Sequence, residues 1–328
     1  MEYVFLVCSE RSGSNMMTKI MDAHSQFCGP SPTHMFRFLL ENYDKYGELT
    51  EDENWADFLR DALNLFNSKL SVWRTSWIVE ELSAAVKERT PSALLKTIFE
   101  TEAVSANKNK LFIKENHVEN FFNELERDFE RPRYVVLVRD PRDMALSWKR
   151  SPILRGGVIR AANRWKKDQT FAKKLLTQIA PERSFMLRYE DILTEPEKEI
   201  KRLCDFLGVE FEEEMLAFQK NSLTEKNAQK TKDWENLNKP LMKSNFNKYK
   251  KELSEDEICY VEAICGDEMD FFGYEKIYDG NYEADFLENK IRPFERNEKE
   301  EYMLQPEEER KQRERQHKAM KKIQGKTK

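Results

Sequence analysis

Two segments carry residues whose types and spacing could hold an anionic group. Cys8-Ser9-Glu10-Arg11-Ser12-Gly13-Ser14-Asn15 lies between an apolar run and a helical one. Gly13 lets backbone amides approach an anion closely, the helix N-terminus favours its charge, and Arg11 adds a full positive charge. Ser12, Ser14 and Asn15 add side-chain hydrogen bonds. Arg139 leaves the end of another apolar run, the place where α/β sheets bind ligands, and Ser147 follows eight positions later on a helix opened by Pro141. Both can reach one anion. Arg142 and Asp143 read as first-turn charges that serve the helix end or each other, outside the site. GxxxxGK[ST] is absent, and no strand ends in the acidic residue that would organise Mg²⁺, which disfavours ATP or GTP hydrolysis.

The elements that must position these residues follow from hydrophobic pattern. Tyr3–Val7 and Tyr134–Val138 are short continuous apolar runs, as central parallel strands are, and Leu111–Ile113 and Phe185–Leu187 repeat the pattern more briefly. Long helical patterns separate them, so the fold class is α/β with a parallel sheet. Thr50 with Glu53 and Ser254 with Glu257 form capping-box patterns, Thr90-Pro91 and Asp140-Pro141 place Pro at the first helical position, and Gly208 and Gly273 stand where helices end. Residues 36–108 hold helical patterns and almost no strand signal, too long for a simple crossover, and are expected to form a helical insertion that shapes the substrate pocket.

With 39% hydrophobic residues, 21 Phe and 35% charged residues, the chain has apolar material for a core beneath a heavily solvated surface. One domain over 1–290 is expected, followed by a charged helical or disordered tail over 295–328. The net charge of -5 conceals an asymmetry, because Pro306–Lys328 holds nine Lys or Arg against four Glu. That basic tail could touch an anionic surface weakly. Lys and Glu interleave elsewhere, which argues against nucleic acid as a partner. Five scattered cysteines without a CxxC pair fit a reducing compartment and no structural zinc. No run has the length of a transmembrane helix and no charged leader precedes Tyr3, so a cytoplasmic location is expected.

Taken together, the Arg11-to-Asn15 loop, Arg139-Asp140-Pro141-Arg142-Asp143 with Ser147, and Tyr189-Glu190-Asp191 after a further strand resemble the PAPS-dependent sulfotransferases. The resemblance covers roughly residues 1–23, 110–210 and 235–275. It implies a central parallel sheet flanked by helices in three layers, akin to P-loop NTPases. It further implies PAPS as sulfuryl donor, with Arg11, Ser12, Gly13, Ser14 and Asn15 on its 5′-phosphosulfate, Arg139 and Ser147 on its 3′-phosphate and Tyr189 against adenine. Lys239, in a loop with Lys243, would add a basic residue over the 3′-phosphate. Lys114-Glu115-Asn116-His117 resembles the strand-end segment facing the transferred group, where Lys114 would stabilise the bridging oxygen and His117, or failing it Glu115, would take the acceptor's proton. The sulfuryl group carries less charge than a phosphoryl group, so no metal is implied. His24 and His34 are candidate acceptor contacts. The acceptor, a small-molecule, carbohydrate or lipid hydroxyl or amine, stays open. A P-loop nucleotide or small-molecule kinase and a noncatalytic nucleotide-binding module are the alternatives.

Overall fold

The expected apolar runs are the strands of one sheet. The computed structural model describes residues 1–278, 283–295 and 305–326. Within it β1 (Glu2–Cys8), β2 (Phe27–Cys28), β3 (Lys110–Lys114), β4 (Arg133–Val138) and β5 (Ser184–Arg188) form a five-stranded sheet in the order β2-β3-β1-β4-β5. Every pairing is parallel. The edge strand β2 went unread in the sequence because two residues are too few to show a period.

The helices are α1 (Ser14–Ala23), α2 (Met35–Leu40), α3 (Asp52–Asn67), α4 (Val79–Ala85), α5 (Pro91–Ser105), α6 (Phe122–Asp128), α7 (Pro141–Arg150) and α8 (Gly157–Gln178). After β5 come α9 (Tyr189–Thr194), α10 (Pro196–Leu207), α11 (Ser222–Ala228), α12 (Tyr249–Glu252), α13 (Glu255–Phe272), α14 (Ala284–Ile291) and α15 (Glu307–Gln324). Alternate residues of β1 serve two cores. Tyr3, Phe5 and Val7 pack with Phe36, Phe99, Phe129 and Tyr134. Val4, Leu6 and Cys8 pack with Met17, Ile20, Leu187 and Leu203. Burial on both faces is what a parallel sheet requires.

Local signals decide most helix ends. Thr90 accepts from the Ala93 amide ahead of Pro91, Asp140 from the Arg142 amide ahead of Pro141, and Ser254 with Glu257 closes a reciprocal capping box. Gly208 and Gly273 end α10 and α13 in the left-handed region. The Thr50–Glu53 pattern does not cap α3: the helix begins one residue later, after Glu51 in extended backbone, and the Thr50 carbonyl accepts from Arg89 Nη1 instead.

Residues 36–108 hold α2 to α5. Of the tail expected over 295–328, residues 296–304 and 327–328 lie outside the described residues, as do 279–282 within 1–290. The described part, α15, is docked on the body. Ile323 is fully buried, Gln312 Nε2 donates to the carbonyls of Ser68 and Lys69 at 3.0 and 3.1 Å, Lys322 pairs with Asp61 at 2.6 Å, and Lys326 pairs with Asp57. These lysines are matched by carboxylates of the body, which leaves less free charge for an anionic surface than the composition implied. All five cysteines are buried as free thiols. Among the described residues no helix is long and apolar enough to cross a membrane.

Candidate active site

The loop after β1 turns sharply because two residues take left-handed backbone, Arg11 at φ 66° and Gly13 at φ 87°. Gly13 then caps α1, and the Met17 amide donates to its carbonyl at 3.1 Å. A Cβ at Gly13 would stand 2.5 Å from Cδ2 and Cε2 of Tyr189, so the ring is seated on the loop backbone. Arg139 lies over the same ring, 4.5 Å from its centroid. Its Nη1 donates to the Arg11 carbonyl at 2.9 Å and its Nη2 to the Asn245 carbonyl at 3.2 Å. Behind it, Trp165 Nε1 on α8 donates to the Arg139 carbonyl at 2.9 Å, and Gln169 Nε2 donates to Ser9 Oγ at 3.1 Å. One helix thus fixes both strand ends.

Arg11, Gly13, Ser14, Asn15, Arg139, Ser147, Tyr189 and Lys239 line one cleft of about 600 Å³. Arg11 Nε donates to Ser147 Oγ at 3.1 Å, which joins the loop after β1 to α7. Ser12 Oγ, Asn15 Oδ1 and Arg139 Nε are buried and have no hydrogen-bond partner among the described residues. Buried polar atoms are ordinarily paired. A phosphate-bearing ligand in the cleft would pair the donor Arg139 Nε. Lys239 is exposed, with its Nζ on Asn236 Oδ1 at 2.9 Å.

Four contributors to this cleft were missed by sequence reasoning. Asp233 accepts from Arg11 Nη1 at 3.0 Å and is itself held by Arg313 of α15 at 3.4 Å. Asn245 and Lys248 also line it, joined through Lys248 Nζ to Asn245 Oδ1 at 2.7 Å. Asp143, set aside as a helix-end charge, lines it too. Arg142 does serve the helix end, gripping Asp140 with Nε at 2.9 Å and Nη2 at 2.6 Å, and it also pairs with Glu262 of α13. No local pattern marks Asp233, Asn245, Lys248 or Glu262, since they come from segments far from the loop and from α7 in the chain.

The strand-end group sits beside the loop. β3 runs next to β1 with Leu6 opposite Lys114, and Asn116 Nδ2 donates to Glu10 Oε1 at 3.1 Å. Glu115, 2% exposed, accepts from the Asn116 amide at 3.1 Å and faces His34 Nδ1 at 3.5 Å. His34 belongs to the loop before α2, with left-handed backbone at φ 63°. His117 is also left-handed, at φ 61°, and its Nδ1 stands 3.9 Å from Glu119. Burial first, and then Arg164, Arg37, Lys167 and Lys114, hold its pKa down to about 2. So weak a proton acceptor is a poor general base at neutral pH. Nearby, burial lifts the Asp168 carboxyl to about 6 against the pull of Arg164. His24 takes no place at this site; it is buried, with Nε2 3.0 Å from the Glu210 carbonyl and Nδ1 accepting from the Gln26 amide.

Residues 3–213 match the profile of the sulfotransferase family, and residues 166–273 that of a sulfotransferase domain. A Caenorhabditis briggsae protein whose name, protein-tyrosine sulfotransferase, is itself provisional is 22% identical over 221 residues, which are 66% of this chain and 68% of that protein. Among solved structures, the sulfotransferase domain of the Synechococcus PCC 7002 olefin synthase has a TM-score of 0.60 at 21% identity, covering 84% of this chain and 95% of that one. The sulfotransferase domain from the curacin biosynthetic pathway has a TM-score of 0.58 at 18% identity, covering 84% and 98%. These two structures share the parallel-sheet architecture. With one profile running from β1 past α10 and through the whole loop between β1 and α1, the chain belongs to the sulfotransferase family.

Proposed function

We propose that the protein moves a sulfuryl group from PAPS to a hydroxyl or amine acceptor, releasing PAP. The observation that carries this reading is the cleft lined by Arg11, Gly13, Ser14, Asn15, Arg139 and Ser147, where Arg139 Nε is buried without a partner beside the left-handed Gly13 turn. Amides of the loop and the α1 N-terminus would meet the 5′-phosphosulfate, Arg139 and Ser147 the 3′-phosphate, and Tyr189 the nucleoside, with Lys239 and Lys248 adding positive charge at the rim. Lys19, the lysine on α1, does not serve the loop as a kinase lysine would; it is buried and donates to the Gly29 carbonyl at 3.0 Å.

In the proposed step the acceptor oxygen or nitrogen forms a bond to sulfur as the bond from sulfur to the bridging oxygen of the 5′-phosphate breaks. PAP departs with the bonding pair, and the acceptor's proton passes to the enzyme. Lys114 would steady the bridging oxygen as it gains charge. Glu115, paired with His34, is ranked ahead of His117 as proton acceptor, because burial, and then the cations around His117, make its protonated form so unfavourable. The C. briggsae name adds a protein tyrosine hydroxyl to the acceptors worth testing.

PAP should raise the melting temperature, by about the increment that RT ln(1 + [L]/Kd) sets, while ATP with Mg²⁺ should not. The opposite preference would overturn the donor assignment. Once an acceptor is found, Glu115→Gln should lower kcat by about a hundredfold or more with PAP binding retained, and His117→Ala should lower it less. A larger loss at His117 would return the base to that residue.

A further inference from the structure

We propose that Asp143 is a positioning residue of the donor site, holding the 245–249 segment so that Asn245 and Lys248 close on Arg139 and Tyr189. This rests on the reading of the cleft as the PAPS site. Asp143 stands on the first turn of α7, between Arg139 at the strand end and Ser147 one turn further along the helix, and is 2% exposed. Its carboxylate accepts from three successive backbone amides, those of Asn247, Lys248 at 2.9 Å and Tyr249 at 3.1 Å. Asn247 is left-handed at φ 58°, a conformation that costs a non-glycine residue about 1 kcal/mol or more and persists only where the surroundings enforce it. The three bonds supply that enforcement.

What they hold is the far wall of the cleft. The Asn245 carbonyl accepts from Arg139 Nη2 at 3.2 Å, its Nδ2 donates to the Tyr189 hydroxyl at 2.8 Å, and its Oδ1 accepts from Lys248 Nζ at 2.7 Å. Tyr189 in turn seats on Gly13, and Arg139 on the Arg11 carbonyl. The chain of contacts therefore runs from one carboxylate through the 245–249 segment to both anion-binding elements. A carboxylate lining an anion site would repel the ligand if its lone pairs were free. Three amides engage them here, which converts that charge into an anchor.

The test is Asp143→Asn, which preserves shape but loses the charge and one of the two acceptor oxygens. PAP affinity by calorimetry and the KM for PAPS should each worsen about tenfold, the effect of weakening a buried charge-assisted hydrogen-bond set. The acceptor KM and kcat should stay within about twofold, as expected when only donor binding is lost. A lowered melting temperature with unchanged PAP affinity would show a purely structural role and overturn the proposal. If Asp143→Asn does not fold, Asn245→Ala removes the next link without touching the anchor and should show the same selective loss; normal PAP affinity there would equally overturn it. Wild-type protein that binds no PAP would instead defeat the donor reading, a separate outcome seen before any variant is made.

Discussion

Gly13→Ala is expected to abolish the PAP-dependent rise in melting temperature and to destabilise the ligand-free protein. Two effects combine. The backbone at Gly13 is left-handed, at φ 87°, where a side chain costs about 1–3 kcal/mol. The added methyl would also lie 2.5 Å from two carbons of the Tyr189 ring, closer than real contacts permit, so the ring or the loop must move. Either movement disturbs the site. If the loop shifts, its amides leave their positions; if Tyr189 shifts, Arg139 loses the ring under its guanidinium and Asn245 its hydroxyl partner. A double-mutant cycle separates these terms. In a Tyr189→Ala background, Gly13→Ala should cost less than in wild type by about 1 kcal/mol or more, because the clash has been removed. Equal costs in the two backgrounds would show that the tyrosine contact is not the source.

The second large effect is expected at Arg142. Its guanidinium is buried among Asp140, Glu262, the Glu275 carbonyl at 3.0 Å and the ring of Tyr249, whose centroid is 4.4 Å away. Removing one member of a buried ion-pair group leaves the others charged and unpaired, at a cost of about 3–5 kcal/mol. Arg142→Ala should lower the urea midpoint accordingly, with Arg142→Lys recovering only part, since an ammonium cannot grip Asp140 through two nitrogens as the guanidinium does. A change under about 1 kcal/mol for the alanine variant would mean that Asp140 and Glu262 find other partners. The loss would be felt at the site as well, because Arg142 fixes the start of α7, the helix that carries Asp143 and Ser147.

The grouping of the residues proposed for the donor side was legible in the sequence because it is built from local geometry. A buried strand, a glycine at a left-handed turn and a helix N-terminus are adjacent in the chain, so Arg11 to Asn15 can be read without knowing the rest of the fold. Arg139 and Ser147 are likewise tied by one strand end and two turns of one helix. The Thr50 misreading shows the limit even of local signals: with polar residues at both 50 and 51, the pattern does not tell which opens the helix, and packing of Trp55, Phe58 and Leu59 sets the start.

Residue types and short-range spacing by themselves determined the α/β class, and they picked out the loop after β1 and the Arg139 and Tyr189 segments that meet it. Tertiary structure alone decided which charges act together. Asp143 reaches the amides of 247–249, Asp233 reaches Arg11, and Glu115 meets His34, each across a sequence gap that no periodicity spans. It also decided that α15 is part of the body, because one buried isoleucine and carboxylates at Asp57, Asp61 and Asp233 meet its cations. It set the proton affinity of His117 too, first through burial and then through the four cations that fold around it. The physical reason is common to all of these: a charge's energy depends on its neighbours and its burial, and both are properties of the folded chain rather than of the residue.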